Sequence, residues 1–125
     1  MSGGTMGKRE NVVRDKSFVF AVRIVYLFKR LSGEKREFVL SRQILKSGTS
    51  IGANVEEADN AISKRDFSGK ISIAYKEAKE TQYWLRLLLA TGYIAQNEFD
   101  SLISDCDELC RLLFSILRTS RINLQ

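Results

Sequence analysis

The chain has 125 residues, 44% hydrophobic and 28% charged, with a net charge of +5, which is ordinary globular composition with enough apolar material for one core. It has no proline, which argues against a turn-rich β fold and for long uninterrupted helices. The absence of histidine excludes histidine-based nucleophilic triads, and no apolar run reaches the roughly 18–20 residues of a membrane span.

Residues 1–11 open with Met1-Ser2-Gly3-Gly4-Thr5-Met6-Gly7. This run lacks the apolar segment of a signal peptide and reads as a disordered or cloning-derived start. With no leader or span, the expected location is cytoplasmic.

The first helix is expected from Lys16 to about Ser32, with Asp15 as N-cap and Gly33 as its stop. It is apolar almost all round: Phe18, Val22 and Val25 define one face, while Phe20 and Leu27 point away from it. A helix of a small monomeric bundle keeps one wet side, so a helix greasy on two sides argues for self-association. A short charged connection, residues 34–37, leads to the second helix, expected over Arg36 to Ala61 with a possible break near Gly48. Ile44, Gly48, Ile51, Val55, Ala58 and Ile62 form its apolar stripe, and Ser47, Ser50, Asn54, Glu57 and Ala61 form a small, polar stripe beside it.

Ser63 is a good N-cap for the third helix, with Asp66 three residues on as in a capping box. Its core stripe is Phe67, Ile71, Ala74, Ala78, Thr81, Leu85 and Leu88, and a second stripe holds Lys70, Ile73, Glu77, Glu80 and Trp84. Gly92 ends it. The fourth helix is expected from about Gln96 to Thr119, with Phe99, Leu102, Ile103, Cys106, Leu109, Cys110, Leu113, Ile116 and Leu117 inward. Its acids crowd the first half and its arginines the second, as the helix dipole favours. Residues 120–125 are expected to fray. Short connections imply antiparallel neighbours. The expected fold is an all-α, up-down-up-down antiparallel four-helix bundle over residues 12–119.

Chemistry is sparse. No phosphate-binding glycine loop is present. Glu57, Glu77 and Glu80 converge between helices two and three, but the Glu-x-x-His pattern of di-iron bundles is absent. Cys106 and Cys110 read as buried free thiols. No catalytic residue, metal ligand or cofactor is expected. The polar stripes of helices two and three, Ser47, Ser50, Asn54, Glu57, Glu77, Glu80 and Trp84, read in two ways. One is a buried network that fixes helix register or subunit contacts. The other is a groove for a ligand or partner, anchored on Trp84.

Residues 1–55 carry eleven basic and four acidic groups, whereas residues 95–110 carry five acidic groups and no basic one. The basic half suggests an anionic partner, with nucleic acid first. The alternative is that the two halves complement each other, within a subunit or between subunits.

The run Gln43 to Ala58, with Ser47-Gly48-Thr49-Ser50-Ile51-Gly52-Ala53-Asn54 at its centre, carries a family resemblance. So do Phe20 to Leu27, Ser63 to Phe67, Lys76 to Thr81 and Tyr83 to Leu85. Together they resemble the bacterial four-helix-bundle proteins, also called the 23S rRNA intervening-sequence protein family, over about Val12 to Arg118. Lys46 stands where the family pattern has Arg, and the charge is kept. The resemblance implies a ring-like homo-oligomer, a homopentamer around a central channel, and a role at RNA. The accessory protein of diversity-generating retroelements is a similar basic pentameric bundle that binds nucleic acid and a reverse transcriptase. The leading expectation is therefore a non-enzymatic binding module for structured RNA. Its candidate contacts are Arg14, Lys16, Arg23, Lys29, Arg30, Lys35, Arg36, Arg42 and Lys46, with Lys8 and Arg9 in the same basic half. The alternative is a scaffold for a protein partner.

Overall fold

Four helices account for nearly all of the chain: α1 (Lys8–Gly33), α2 (Leu40–Asp59), α3 (Lys64–Ala90) and α4 (Gln96–Leu124). The computed structural model describes residues 7–124, with side chains through Ser120; the expectation for residues 1–6 lies outside them. No strand occurs among the described residues.

α1 begins eight residues before the expected Lys16. Glu10 reaches back so that its carboxylate accepts the Gly7 N–H at 2.8 Å, which satisfies one of the orphan donors of the first turn. The early turns are tied down by burial of Val13 and by Arg9, which donates to the Ser115 hydroxyl at 2.9 Å. Asp15 is therefore exposed mid-helix, not a cap.

The turn after α1 contains the one non-glycine residue with positive φ among the described residues, Arg36 at 56°. This left-handed step lets the Glu37 N–H close back on the Leu31 carbonyl at 2.9 Å. Glu37 then starts the next helix. Its carboxylate accepts the backbone N–H groups of Val39, Leu40 and Ser41, and the Ser41 hydroxyl donates to the Glu37 carbonyl.

α2 is continuous, without the break expected near Gly48. The Thr49 and Ser50 hydroxyls donate to carbonyls one turn earlier, and the Asn54 amide donates to the Ser50 carbonyl. These side chains satisfy themselves on their own helix. α2 stops at Asp59, two residues before the expected end. Ile62 consequently leaves the stripe assigned to it and is 94% exposed, while Ala61 is buried. Ser63 caps α3 as expected, its hydroxyl accepting the Asp66 N–H at 3.0 Å. Gly92, at φ 81°, turns the chain out of α3, a conformation that costs glycine nothing. α4 runs past Thr119 to Leu124.

Packing follows chain order. α1 packs on α2, α2 on α3, α3 on α4, and α4 closes on α1; the diagonal pairs do not pack. Partners run in opposite registers, Ser47 with Thr81 and Glu57 with Lys70 between α2 and α3, and Arg9 with Ser115 and Arg30 with Glu98 between α1 and α4. This is the antiparallel square bundle that the sequence implies. Its core is Phe20, Ile24, Leu27 and Leu31 of α1, Ile44, Ile51 and Val55 of α2, Ile71, Leu85 and Leu88 of α3, and Leu102, Leu109, Leu113 and Ile116 of α4. Phe67, Phe99 and Ile103, expected inside, sit half-buried at its margin. Gly48 sets the α1–α2 distance, since a Cβ there would lie 2.9 Å from two carbons of Ile24.

Candidate functional site

The basic residues divide into two groups by what they touch. On α1, Arg9, Lys16, Arg23 and Arg30 recur every seven residues and therefore line one face. That face meets the acidic first half of α4. Lys16 pairs with Glu108 at 3.3 Å, Arg23 with Asp105 at 2.6 Å, and Arg30 with Glu98. Arg23 also donates to the Ser101 hydroxyl at 2.9 Å. On the other flank of α1, Arg14 pairs with Asp59 of α2 at 3.5 Å. The uneven charge of the sequence is thus largely complementary within the subunit. Four of the nine candidate nucleic-acid contacts, Arg14, Lys16, Arg23 and Arg30, are engaged in this way. The glutamate beside Arg30 also holds the Arg30 guanidinium above its ordinary range.

The other five, Lys29, Lys35, Arg36, Arg42 and Lys46, have no ion-pair partner among the described residues. They lie on the last turn of α1, the connection and the first turns of α2, so they gather towards one end of the bundle. The Arg36 guanidinium stands over the Phe38 ring at 5.5 Å, and the Lys29 ammonium over Tyr26 at 5.6 Å. Phe38, Val39 and Tyr26 are exposed.

The polar stripes of α2 and α3 flank the contact between those helices, but among the described residues they do not form one network. Only Ser47 and Thr81 bond across the helices at depth, both fully buried. The Thr81 hydroxyl lies 2.8 Å from both the Ser47 hydroxyl and the Glu77 carbonyl. A hydroxyl carries one proton; that of Thr81 serves the carbonyl, and Ser47 supplies the bond between the two side chains. At the rim, Lys70 pairs with Glu57 at 2.8 Å, and the Trp84 indole N–H donates to Glu80 at 3.0 Å. Glu77 is half-buried and has no ion pair among the described residues. Burial and the nearby Glu80 push its carboxyl above the ordinary range, opposed in part by Lys46 and Lys76.

The buried pair supports a test. Thr81→Val leaves Ser47 only its own Ile44 carbonyl, 3.5 Å away, and is expected to cost about 1 kcal/mol. Adding Ser47→Ala removes the other half. The double change is expected to cost about 0.5 kcal/mol less than the two single changes summed. Urea unfolding of the four chains measures this cycle.

Cys106 and Cys110 are buried and free. The Cys106 thiol donates to the Ala78 carbonyl at 3.3 Å, and its contact with Cys110, together with burial, pushes its pKa up. No three Cys, Asp or Glu residues converge as a metal-binding set among the described residues. No helix there is long and apolar enough to cross a membrane.

Two features escaped the reading of the sequence. The heptad ladder of Arg9, Lys16, Arg23 and Arg30 was legible as a spacing, but its partners lie on the far side of two intervening helices. The other is the extent of the outer face of α1: the second apolar side was expected through Phe18, Val22 and Val25, but Val12, Val19 and Tyr26 are also exposed on it.

No curated protein matches the chain. Among solved structures, the fold is similar to the crystal structure of a protein of unknown function from the S23 ribosomal protein family of Bacteroides thetaiotaomicron. The two are 55% identical, with a TM-score of 0.87, over 88% of this chain and 98% of that one. The sequence profile of the 23S rRNA-intervening sequence proteins matches residues 9–115. That span takes in nearly all of α1, the whole of α2 and α3, and α4 as far as Ser115, and the chain belongs to the 23S rRNA-intervening sequence protein family.

Proposed function

We propose that this protein is a non-enzymatic, self-assembling helical bundle of the cytoplasm that binds structured RNA through the end of the bundle where α1 meets α2. The observation that carries the reading is the separation of the cations. Those along α1 are neutralised by α4 and α2, whereas Lys35, Arg36, Arg42 and Lys46 form no ion pair among the described residues, although Lys46 acts on Glu77 through space. Cations left free in this way are available to phosphates, and contacts to phosphates give strong, salt-sensitive and weakly sequence-specific binding. The family's name is consistent with a role at ribosomal RNA.

Assembly is the second half of the proposal. Only one of the two apolar sides of α1 is covered within the subunit; Phe18 and Tyr26 are each 66% exposed and Val19 59%. An exposed stripe of this kind fits an interface. The homopentameric ring implied by the family resemblance would cover it and repeat the basic end five times around one axis.

The test is fluorescence anisotropy with a labelled RNA hairpin across a salt series. Lys35→Glu/Arg36→Glu/Arg42→Glu is expected to weaken binding by about a hundredfold and to make the salt dependence shallower, by about 0.9 in slope for each phosphate no longer neutralised. Lys16→Glu/Arg23→Glu, which reverses paired cations, is expected to weaken it far less. Unchanged binding by the triple variant would refute the RNA reading. A variant that still captures a protein partner would favour the scaffold alternative, with Trp84 and the α2–α3 groove as its surface.

A further inference from the structure

The seam between α3 and α4 carries cations that the acids of the bundle leave unpaired. Tyr75 of α3 and Phe114 of α4 meet across it, their ring centroids 5.8 Å apart and their planes tilted by 48°. Tyr75 rests partly on the core, but Phe114 is 50% exposed. Around the two rings stand Lys79 of α3 and Arg111 and Arg118 of α4, all exposed. None of the three forms an ion pair among the described residues. Asp107, one turn from Arg111 on the same side of α4, accepts from the Gln82 amide at 2.7 Å. A cation stands over the rings of Tyr26 and Phe38, whereas among the described residues none stands over Tyr75 or Phe114.

Spacing makes these residues one surface. Tyr75 and Lys79 are four apart on α3, and Arg111, Phe114 and Arg118 follow at three and four on α4, so each set lies on one side of its helix. The contacts Tyr75–Phe114 and Gln82–Asp107 fix the register of the antiparallel pair. They put Lys79 level with Cys110 and beside Arg111, and both cations act on the Cys110 thiol through space. At 1.5 Å per residue, Lys79 and Arg111 lie about 4.5–6 Å to one side of the rings along the helix axes, and Arg118 about 6 Å to the other. The result is a short strip with an aromatic centre and positive ends. It lies across the square bundle from the α1–α2 seam.

We infer that this strip binds a short single-stranded stretch of RNA, with a base on the exposed Phe114 ring and the flanking phosphates on Lys79 and Arg111 at one side and Arg118 at the other. Cations alone accept any polyanion, but an open ring selects one that carries flat, unpaired bases. A duplex keeps its base faces stacked inside and has none to offer; single strands and loops can splay a base onto an aromatic side chain. An acidic protein segment matches the charge and leaves the ring without a partner. The strip shares no residue with the end of the bundle proposed above for structured RNA, so either site can be absent without the other.

Fluorescence anisotropy on the full chain at low salt tests it with two probes, a short labelled oligouridylate and an abasic ribose-phosphate oligomer of the same length. Phe114→Leu keeps an apolar side chain on the seam but removes the flat ring. It is expected to weaken oligouridylate binding about tenfold and to leave binding of the abasic oligomer unchanged. Arg111→Glu/Arg118→Glu is expected to weaken both, and to make the salt dependence shallower by about 0.7 in slope for each phosphate no longer neutralised. Circular dichroism checks that each variant keeps its helix content. In the Lys35→Glu/Arg36→Glu/Arg42→Glu chain, which lacks the other site, the effect of Phe114→Leu is expected to persist. The inference is overturned if the unmodified chain does not bind oligouridylate, or if either seam variant binds it as tightly as the unmodified chain does. Equal weakening of both probes by Phe114→Leu, or displacement of oligouridylate by oligoglutamate of equal charge as effective as that by unlabelled oligouridylate, overturns it as well.

Discussion

Gly48→Val is expected to cost about 3 kcal/mol, at the upper end for overpacking a core. The position is closed on one side by Ile24, whose two γ carbons would both lie 2.9 Å from the new Cβ. Ile24 is fully buried and β-branched, so it has no other rotamer to retreat to at small cost. The two further methyl groups of valine must displace α1 itself. Glycine in mid-helix sacrifices about 1 kcal/mol relative to alanine, and close contact between α1 and α2 offsets that loss. Gly69 of α3 is the control. No atom beyond its own helix lies within 4 Å of a Cβ built there, so Gly69→Ala is expected to stabilise by about 0.5–1 kcal/mol. Thermal unfolding by circular dichroism, at one protein concentration because assembly shifts apparent stability, separates the two. Gly48→Val is expected to lower Tm by about 10 °C, and Gly69→Ala to raise it by a few degrees.

Glu37→Ala is expected to remove about 1–2 kcal/mol at neutral pH, the upper range for a helix cap. One carboxylate serves three N–H groups at the start of α2, and all three lose their acceptor together; partial solvation of the site keeps the figure moderate. Burial works to raise the pKa of this acid, but the backbone hydrogen bonds from Leu40, Ser41 and Val39 outweigh it and hold the carboxyl below its ordinary 4.5. The sign follows from linkage. A carboxyl whose pKa is lower in the folded than in the unfolded state contributes stability above about pH 4.5, and that contribution disappears as pH falls through the folded value. The gap in Tm between the unmodified chain and Glu37→Ala is therefore expected to be full at pH 7 and to close in the acid range. A gap that persists unchanged at low pH would mean that packing, rather than the charged cap, is responsible.

The fold was legible because its signal is periodic. Ile44, Ile51 and Val55 on α2, or Ile71, Ala74, Ala78 and Leu85 on α3, fall inward with the helical repeat, and Ser63 and Gly92 mark boundaries by local chemistry alone. The start of α1 was not legible, because Gly7 carries no capping side chain and the turn is held by Glu10 and by Ser115, which lies at the other end of the chain. The run from Ser47 to Ser50 looked like a break because hydroxyls compete with the backbone; on α2 those of Thr49 and Ser50 instead bond to the preceding turn. The candidate RNA surface was half legible. Charge counts identify Lys35 and Arg23 as equal cations, and only the position of Asp105 distinguishes one that is engaged from one that is free.

The α1–α4 side of the square has a kinetic meaning. The other three contacts join helices adjacent in the chain and need only short loops to form, which favours rapid folding. Bringing α4 back to α1 closes a loop through two intervening helices, and its entropic cost rises with length. That last side is where the ladder of opposite charges lies. Charge attraction reaches farther than packing contacts, so the pairs of Lys16, Arg23 and Arg30 with the acids of α4 favour this register over others against the one neighbour that the local sequence cannot supply.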